Sequence, residues 1–196
     1  VVAALLDASV AQRIARSPSQ GRLATARTLR AFGEAPVIAG LSGGLAVAGW
    51  VGRRPALVRV AGQTATAILL ETVATQAAKH LVGRARPYQD QDRDGFDFSP
   101  FSSQGAFPSG HTAAAFALAT TVGDASGSRW ARAALYSLAT GTAWARIAEE
   151  KHWVSDVVAG AAVGILSARV ANGRTRVLGL QAPRPLRGGV GWQVPF

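Results

Sequence analysis

Apolar residues recur at a helical period along most of the chain. Val2, Leu5, Leu6, Val10 and Ile14 share one side of a first segment, Val1 to Arg16, which Ser17-Pro18-Ser19 interrupts. Ser17 or Ser19 offers the oxygen that caps a second helix, Leu23 to Phe32. Arg22, Arg27 and Arg30 fall on its polar side and read as a solvated face. Gly33 to Gly52 comes next. Its stretch from Ala35 to Val51 carries no charge and just reaches the ~17 residues that a bilayer span needs. Gly40, Gly43, Gly44 and Gly49 predict a face that another helix approaches closely. Arg53-Arg54-Pro55 makes a turn, with Pro55 suited to the first helical position.

The longest pattern runs from Ala56 to Ala85. Leu57, Ala61, Ala65, Ile68, Leu69, Val73, Ala77 and Leu81 form its apolar face, and Arg86-Pro87 ends it. Lys79 and Arg86, seven apart, are expected on the same side of its last two turns. Tyr88 to Phe107 is a polar loop. Pro108 to Thr112 opens a helix over Ala113 to Val122, and Gly123 to Ser128 is a turn. Trp130 to Ala148 is helical with an interruption at Gly141, and Glu149 to Lys151 is a charged link. Trp153 to Ala171 is the last helix, with Val154, Val157, Val158, Ala161, Ile165 and Ala168 on one side. Asn172 to Phe196 has no helical period and reads as a Pro/Gly-rich tail with a short strand at Gly191 to Phe196. The fold class is therefore all-α: one bundle of six to seven helices over residues 1–172, its active site at the helix ends, and a tail over 173–196. Glu71, Gln76, Arg132 and Arg146 interrupt the apolar stretches, so most are expected to be buried bundle helices, with membrane association left open.

Composition narrows the chemistry. The 196 residues include no cysteine, which excludes disulfides, zinc–thiolate sites and cysteine nucleophiles. They include no methionine, even at position 1, so a targeting segment is expected upstream. The net charge of +10 favours anionic partners: nucleic acid, an anionic membrane surface or a phosphorylated substrate. The cations are scattered, and no basic stripe interleaved with aromatics appears, which argues against nucleic acid. Asp90, Asp92, Asp94 and Gly95 match the first half of a calcium loop, but Phe101 stands where its final glutamate belongs. The segment reads as an acidic lid or rim, and no metal is expected.

Three polar clusters remain. Lys79 and Arg86 bring cations to one helix end. Ser109, Gly110 and His111 start another helix, whose free N–H groups and dipole favour anions. Arg146 precedes His152 and Asp156, which are spaced i, i+4 so that a carboxylate can support an imidazole. Taken singly, each has a plain structural explanation. Lys79 and Arg86 could be solvated charges, Ser109 an N-cap, His111 a buried core histidine, and Arg146 a partner of Glu149 or Glu150. Together they offer what a phosphoryl group requires.

Lys79-x6-Arg86-Pro87, Pro108-Ser109-Gly110-His111 and Arg146-x5-His152-x3-Asp156 resemble, in order and spacing, the three-part signature of the type 2 phosphatidic acid phosphatase superfamily. That superfamily includes class A acid phosphatases, lipid phosphate phosphatases and vanadium-dependent haloperoxidases. The resemblance implies an α-helical core and a phosphatase that needs no metal or other cofactor. His152 would be the nucleophile, Asp156 its orienting carboxylate, and His111 the acid and then the base. Lys79, Arg86, Ser109, Gly110 and Arg146 would bind the phosphate. His80, Arg84, Lys151 and Trp153 lie outside the signature, although Trp153 could wall the pocket. Ala145 departs from it, since the family usually has serine before this arginine.

The substrate class is a phosphomonoester or a lipid (pyro)phosphate. The alternative is a haloperoxidase that uses the same cradle for vanadate, and a catalytically silent scaffold is the third reading. The expected location is exported, periplasmic or membrane-associated. The motifs do not specify lipid or soluble substrate, or oligomeric state.

Overall fold

The computed structural model describes residues 5–17 and 19–175 and two short strands, 184–186 and 189–191. Residues 1–4 of the first expected helix and 192–196 of the expected strand lie outside them. Among the described residues there are seven α-helices: α1 (Asp7–Arg16), α2 (Gln20–Arg30), α3 (Ala35–Val51), α4 (Pro55–Val82), α5 (Gly110–Ser126), α6 (Arg129–Ala148) and α7 (Val154–Ala171). A 3-10 turn, Ala31–Gly33, links α2 to α3, and the two segments meet at a bend of 43°. In the tail, Arg184–Leu186 pairs antiparallel with Gly189–Gly191, ahead of most of the expected strand. The all-α bundle is as the sequence predicts.

Helix starts follow the capping residues. Ser19, Ser109 and Ser128 each accept a hydrogen bond from a first-turn N–H, and Pro55 opens α4. Three breaks fall elsewhere than expected. α5 continues through Gly123 to Ser126, past the start of the expected turn. Gly141 does not interrupt α6, where it lies against Leu29. α4 ends at Val82, not Ala85, because Gly83 takes the left-handed conformation at φ +57. A Cβ there would meet the Ser99 carbonyl. Arg86 therefore lies beyond the helix and does not share a helical side with Lys79.

The long helices are packed inside out. α4 turns Ala61, Thr64, Ala67, Glu71 and Thr75 inward, while Leu69, Val73 and Leu81 are 64%, 62% and 60% exposed. α7 likewise buries Gly160, Gly164, Ser167 and Ala168 and exposes Val158 and Leu166. The expected apolar faces of both helices, read as core, thus belong in part to the outside. Small and polar residues facing neighbours and large apolar ones facing out is the pattern of helices whose solvent is lipid. Both α4 and α7 are long and apolar enough to cross a membrane, and the bent α2–α3 pair would make a third crossing if taken as one.

The tightest approach is α7 on α5. A Cβ on Gly160 would run into the Ser109 carbonyl oxygen, and one on Gly164 into that of Ala113. Among the described residues the approach expected at α3 is not made at Gly40, Gly43 or Gly44, whose Cβ positions have nothing within 4 Å, whereas Gly49 is close to Val58.

Candidate active site

The C-terminal ends of α4 and α6 and the N-terminal ends of α5 and α7 meet at one mouth. The Ser109 N–H donates to the Asp156 carbonyl at 3.0 Å, which sets the starts of α5 and α7 side by side. Gly33 admits the α2–α3 bend to the same place, since a Cβ there would lie 2.5 Å from the His111 carbonyl oxygen.

His152 is buried and held in one orientation. It is 3% exposed. Its Nδ1 lies 2.7 Å from the Ala106 carbonyl oxygen and 3.6 Å from Asp156 Oδ2. A carbonyl only accepts, so Nδ1 carries the proton and Nε2 keeps the lone pair. The 3.6 Å approach of Asp156 is electrostatic and too long for a hydrogen bond. The expected orienting role thus falls first to a backbone carbonyl. Burial pushes the His152 pKa below the usual histidine range, Asp156 opposes that, and Lys79 and Arg146 add to it. The ring is neutral at pH 7, as a nucleophile requires.

Asp156 is fully buried. Its Oδ2 accepts from the Trp153 N–H at 2.8 Å, and its Oδ1 from Arg84 Nη1 at 2.8 Å. It lies in the first turn of α7, where the helix dipole favours an anion.

His111, in the first turn of α5, is half-buried. Burial first, then the neighbouring basic groups Arg146, His152, Arg30 and Lys79, push its pKa down to about 4. Arg146, His152 and Lys79 thus stand around His111, and the three sequence clusters converge. Gly110 and His111 begin the helix, so their N–H groups have no intrahelical acceptor and suit an anion. Ser109 Oγ caps the helix and lies 2.9 Å from Thr112 Oγ1, fully buried. Its structural role as a cap is realised.

The cations have partners within the chain. Lys79 Nζ donates to the Gly105 carbonyl at 2.6 Å. Arg146 Nη1 donates to Glu149 Oε2 at 2.7 Å, while its buried Nε has no partner among the described residues. Arg30 reaches the other oxygen of Glu149 at 3.5 Å. Arg86 is half-buried at the same mouth, and its carbonyl accepts from Gln89 and Asp90. Ala145 is buried beside Ala26 and Ala148 in an apolar cluster against α2, surroundings with no use for a hydroxyl.

The acidic loop is internally bonded. Asp90 accepts from the N–H groups of Arg93 and Gly95, and Arg93 reaches Glu150 at 2.6 Å. Among the described residues no cluster of three or more His, Asp or Glu side chains could hold a metal.

Sequence reasoning missed Arg84, Asp7, Ser155 and the carbonyls of Gly105 and Ala106. Arg84, set aside as outside the signature, is 6% exposed and bonded to Asp156. Its one sequence signal is a second arginine close to a proline-stopped helix end. The lone acid of the first helix, Asp7, is a weaker signal, and carbonyls give none. Trp153 does not wall the mouth openly: it is buried, with Nε1 donating to the Ala85 carbonyl at 2.8 Å.

The chain is 38% identical over 120 residues to lipid A 1-phosphatase of Porphyromonas gingivalis, a match covering 60% of this chain and 24% of that protein. It therefore spans about a quarter of the relative's length. The crystal structure of LpxE from Aquifex aeolicus superposes with a TM-score of 0.66 at 21% identity, covering 85% of this chain and 94% of that one, which shows a shared fold. A profile of the PAP2 superfamily matches residues 60–175, more than half of the chain and every residue of the mouth's three motifs, and the chain belongs to that superfamily.

Proposed function

We propose that this chain is a phosphatase that removes phosphate from a phosphorylated lipid through a phosphohistidine intermediate. The observation that carries the reading is the Ala106 carbonyl at 2.7 Å from His152 Nδ1, which leaves Nε2 as the ring's one nucleophilic atom. In the first step Nε2 attacks phosphorus as the bond to the leaving oxygen breaks, and His111 gives that oxygen its proton. In the second step His111 takes a proton from water, whose oxygen attacks phosphorus. The P–N bond breaks, inorganic phosphate leaves and the Nε2 lone pair is restored. Lys79, Arg86, Arg146 and the N–H groups of Gly110 and His111 hold the non-bridging oxygens, the positioning and charge stabilisation on which phosphoryl transfer depends.

His111 is neutral in the free protein, since its pKa is about 4. An incoming phosphate anion offsets the surrounding cations and raises the His111 pKa, which favours the protonated ring that the first step uses. Asp156 supports the charge that phosphorylation brings to His152.

The outward apolar faces of α4 and α7 and the name of the P. gingivalis relative support a lipid substrate and a membrane-associated, exported protein. The test is metal-free hydrolysis of a phosphorylated lipid and of an aryl phosphate, with inhibition by vanadate. Retention of most activity by His152→Ala rejects the reading. Bromide peroxidation by the vanadate-loaded protein would favour the haloperoxidase alternative.

A further inference from the structure

Two acceptors face His152 Nδ1, and both lead back to one residue. The Ala106 carbonyl is fixed because its own N–H donates to the Arg84 carbonyl at 3.0 Å. The Asp156 carboxylate is fixed because Arg84 Nη1 donates to its Oδ1 at 2.8 Å. Arg84 therefore grips one acceptor with its backbone and the other with its side chain.

The guanidinium has no donor to spare. Nη1 also reaches Ser155 Oγ at 2.6 Å, Nη2 reaches Asp7 Oδ2 at 2.8 Å, and Nε and Nη2 both reach the Gly95 carbonyl. Five N–H groups thus meet five contacts. The rings of Trp153 and Phe98 stack against it at 5.2 and 5.5 Å. Lysine has neither the fork nor the planar face to replace this.

Asp7 adds charge balance. Its Oδ1 accepts from the Ser155 N–H at 2.8 Å and its Oδ2 from Ser155 Oγ. One guanidinium lies between two carboxylates, so the corner keeps a net negative charge towards the imidazole. With Asp7 neutral, Arg84 and Asp156 would cancel, and the support Asp156 gives to a cationic ring would weaken.

We infer that Arg84 is a positioning residue for His152, holding both acceptors that face Nδ1, and that Asp7 completes the device as the second counter-ion of Arg84. The inference rests on the phosphohistidine reading, and α1 becomes part of the reaction apparatus through it. Neither residue touches the substrate. Both act on the rate at which His152 accepts phosphate and leave substrate binding to the cradle of Lys79, Arg86 and Arg146.

The experiment uses the full chain in membranes or detergent micelles, an aryl phosphate, and rapid-quench trapping of the acid-labile phosphoprotein. Arg84→Met and Arg84→Lys are expected to slow its formation by about 10²-fold, with KM within about threefold of wild type. Asp7→Asn is expected to slow it by about tenfold. Asp7→Asn in the Arg84→Met background should add little, because Asp7 acts through Arg84. Wild-type rates of phosphoprotein formation in folded Arg84→Met or Asp7→Asn overturn the inference, as does a loss confined to KM. If Arg84→Met does not fold, Asp7→Asn and Ser155→Ala decide the matter by the same readouts. Failure of the underlying function looks different: the wild-type chain itself then forms no phosphoprotein.

Discussion

The mouth and the body of this bundle are built on opposite rules. In the mouth, charge is buried and directed: Arg84, Asp156, Asp7 and His152 are at most 6% exposed and hydrogen-bonded to one another or to backbone. In the body, small residues face inward, large apolar ones face out, and the shortest approaches are glycine against carbonyl. The difference separates two tasks. The body needs closeness, which missing side chains supply. The mouth needs direction, which only hydrogen bonds to fixed acceptors supply. Within the mouth the same division recurs, because His152 is locked whereas His111 is left to carry a proton.

The largest expected effects break the mouth. His152→Ala should lower kcat by about 10⁴-fold or more on any phosphate ester, measured by phosphate release. His111→Ala should cost about 10²–10⁴-fold on an alkyl phosphate and far less on a nitrophenyl phosphate, whose leaving group needs no proton. Equal sensitivity of both variants to the leaving group would erase the distinction between the locked and the mobile histidine.

Titration sharpens the same contrast. The His111 midpoint, followed by NMR, should be near about 4 in the free chain and rise when inorganic phosphate or vanadate binds. Stability has a defined sign. The folded pKa lies below the ordinary 6.5, so the unfolded chain takes up more protons between those values. The contribution of His111 is complete above pH 6.5 and is lost as pH falls towards about 4. His111→Asn should flatten the thermal-midpoint curve across that window.

Smaller effects fall in the body. Gly164→Ala must push α7 away from the Ala113 carbonyl and should cost roughly 1–3 kcal/mol in denaturation. The inward Leu118 should cost about 2–5 kcal/mol when cut to alanine, while outward Leu69→Ala should change stability by about 0.5 kcal/mol or less. Equal losses at the two leucines would show that the outer face is a protein contact.

What the sequence made legible follows from the same division. The motif residues of the mouth were readable because function fixes their identity and spacing along short segments. The Arg84–Asp7 contact was not, because it joins residues 77 positions apart. The Ala106 and Gly105 carbonyls were not, because a backbone oxygen carries no letter. The inward face of α4 was misread for a physical reason: taking apolar as inward assumes water outside, and Glu71 and Thr75 turn in where lipid is the solvent. The end of α4 was misread because Gly83 looked like one more helical residue before the proline.

The length of α4 has a further consequence. Its 28 residues measure about 42 Å at 1.5 Å each, beyond the ~30 Å hydrocarbon core, whereas the 18 of α7 measure about 27 Å. With both helices across a bilayer, as proposed, its thickness acts as a ruler, setting how far Lys79 and its neighbours stand from the headgroup plane. Turnover of a lipid phosphate should vary with the acyl-chain length of the host bilayer, and turnover of a freely dissolved aryl phosphate should not.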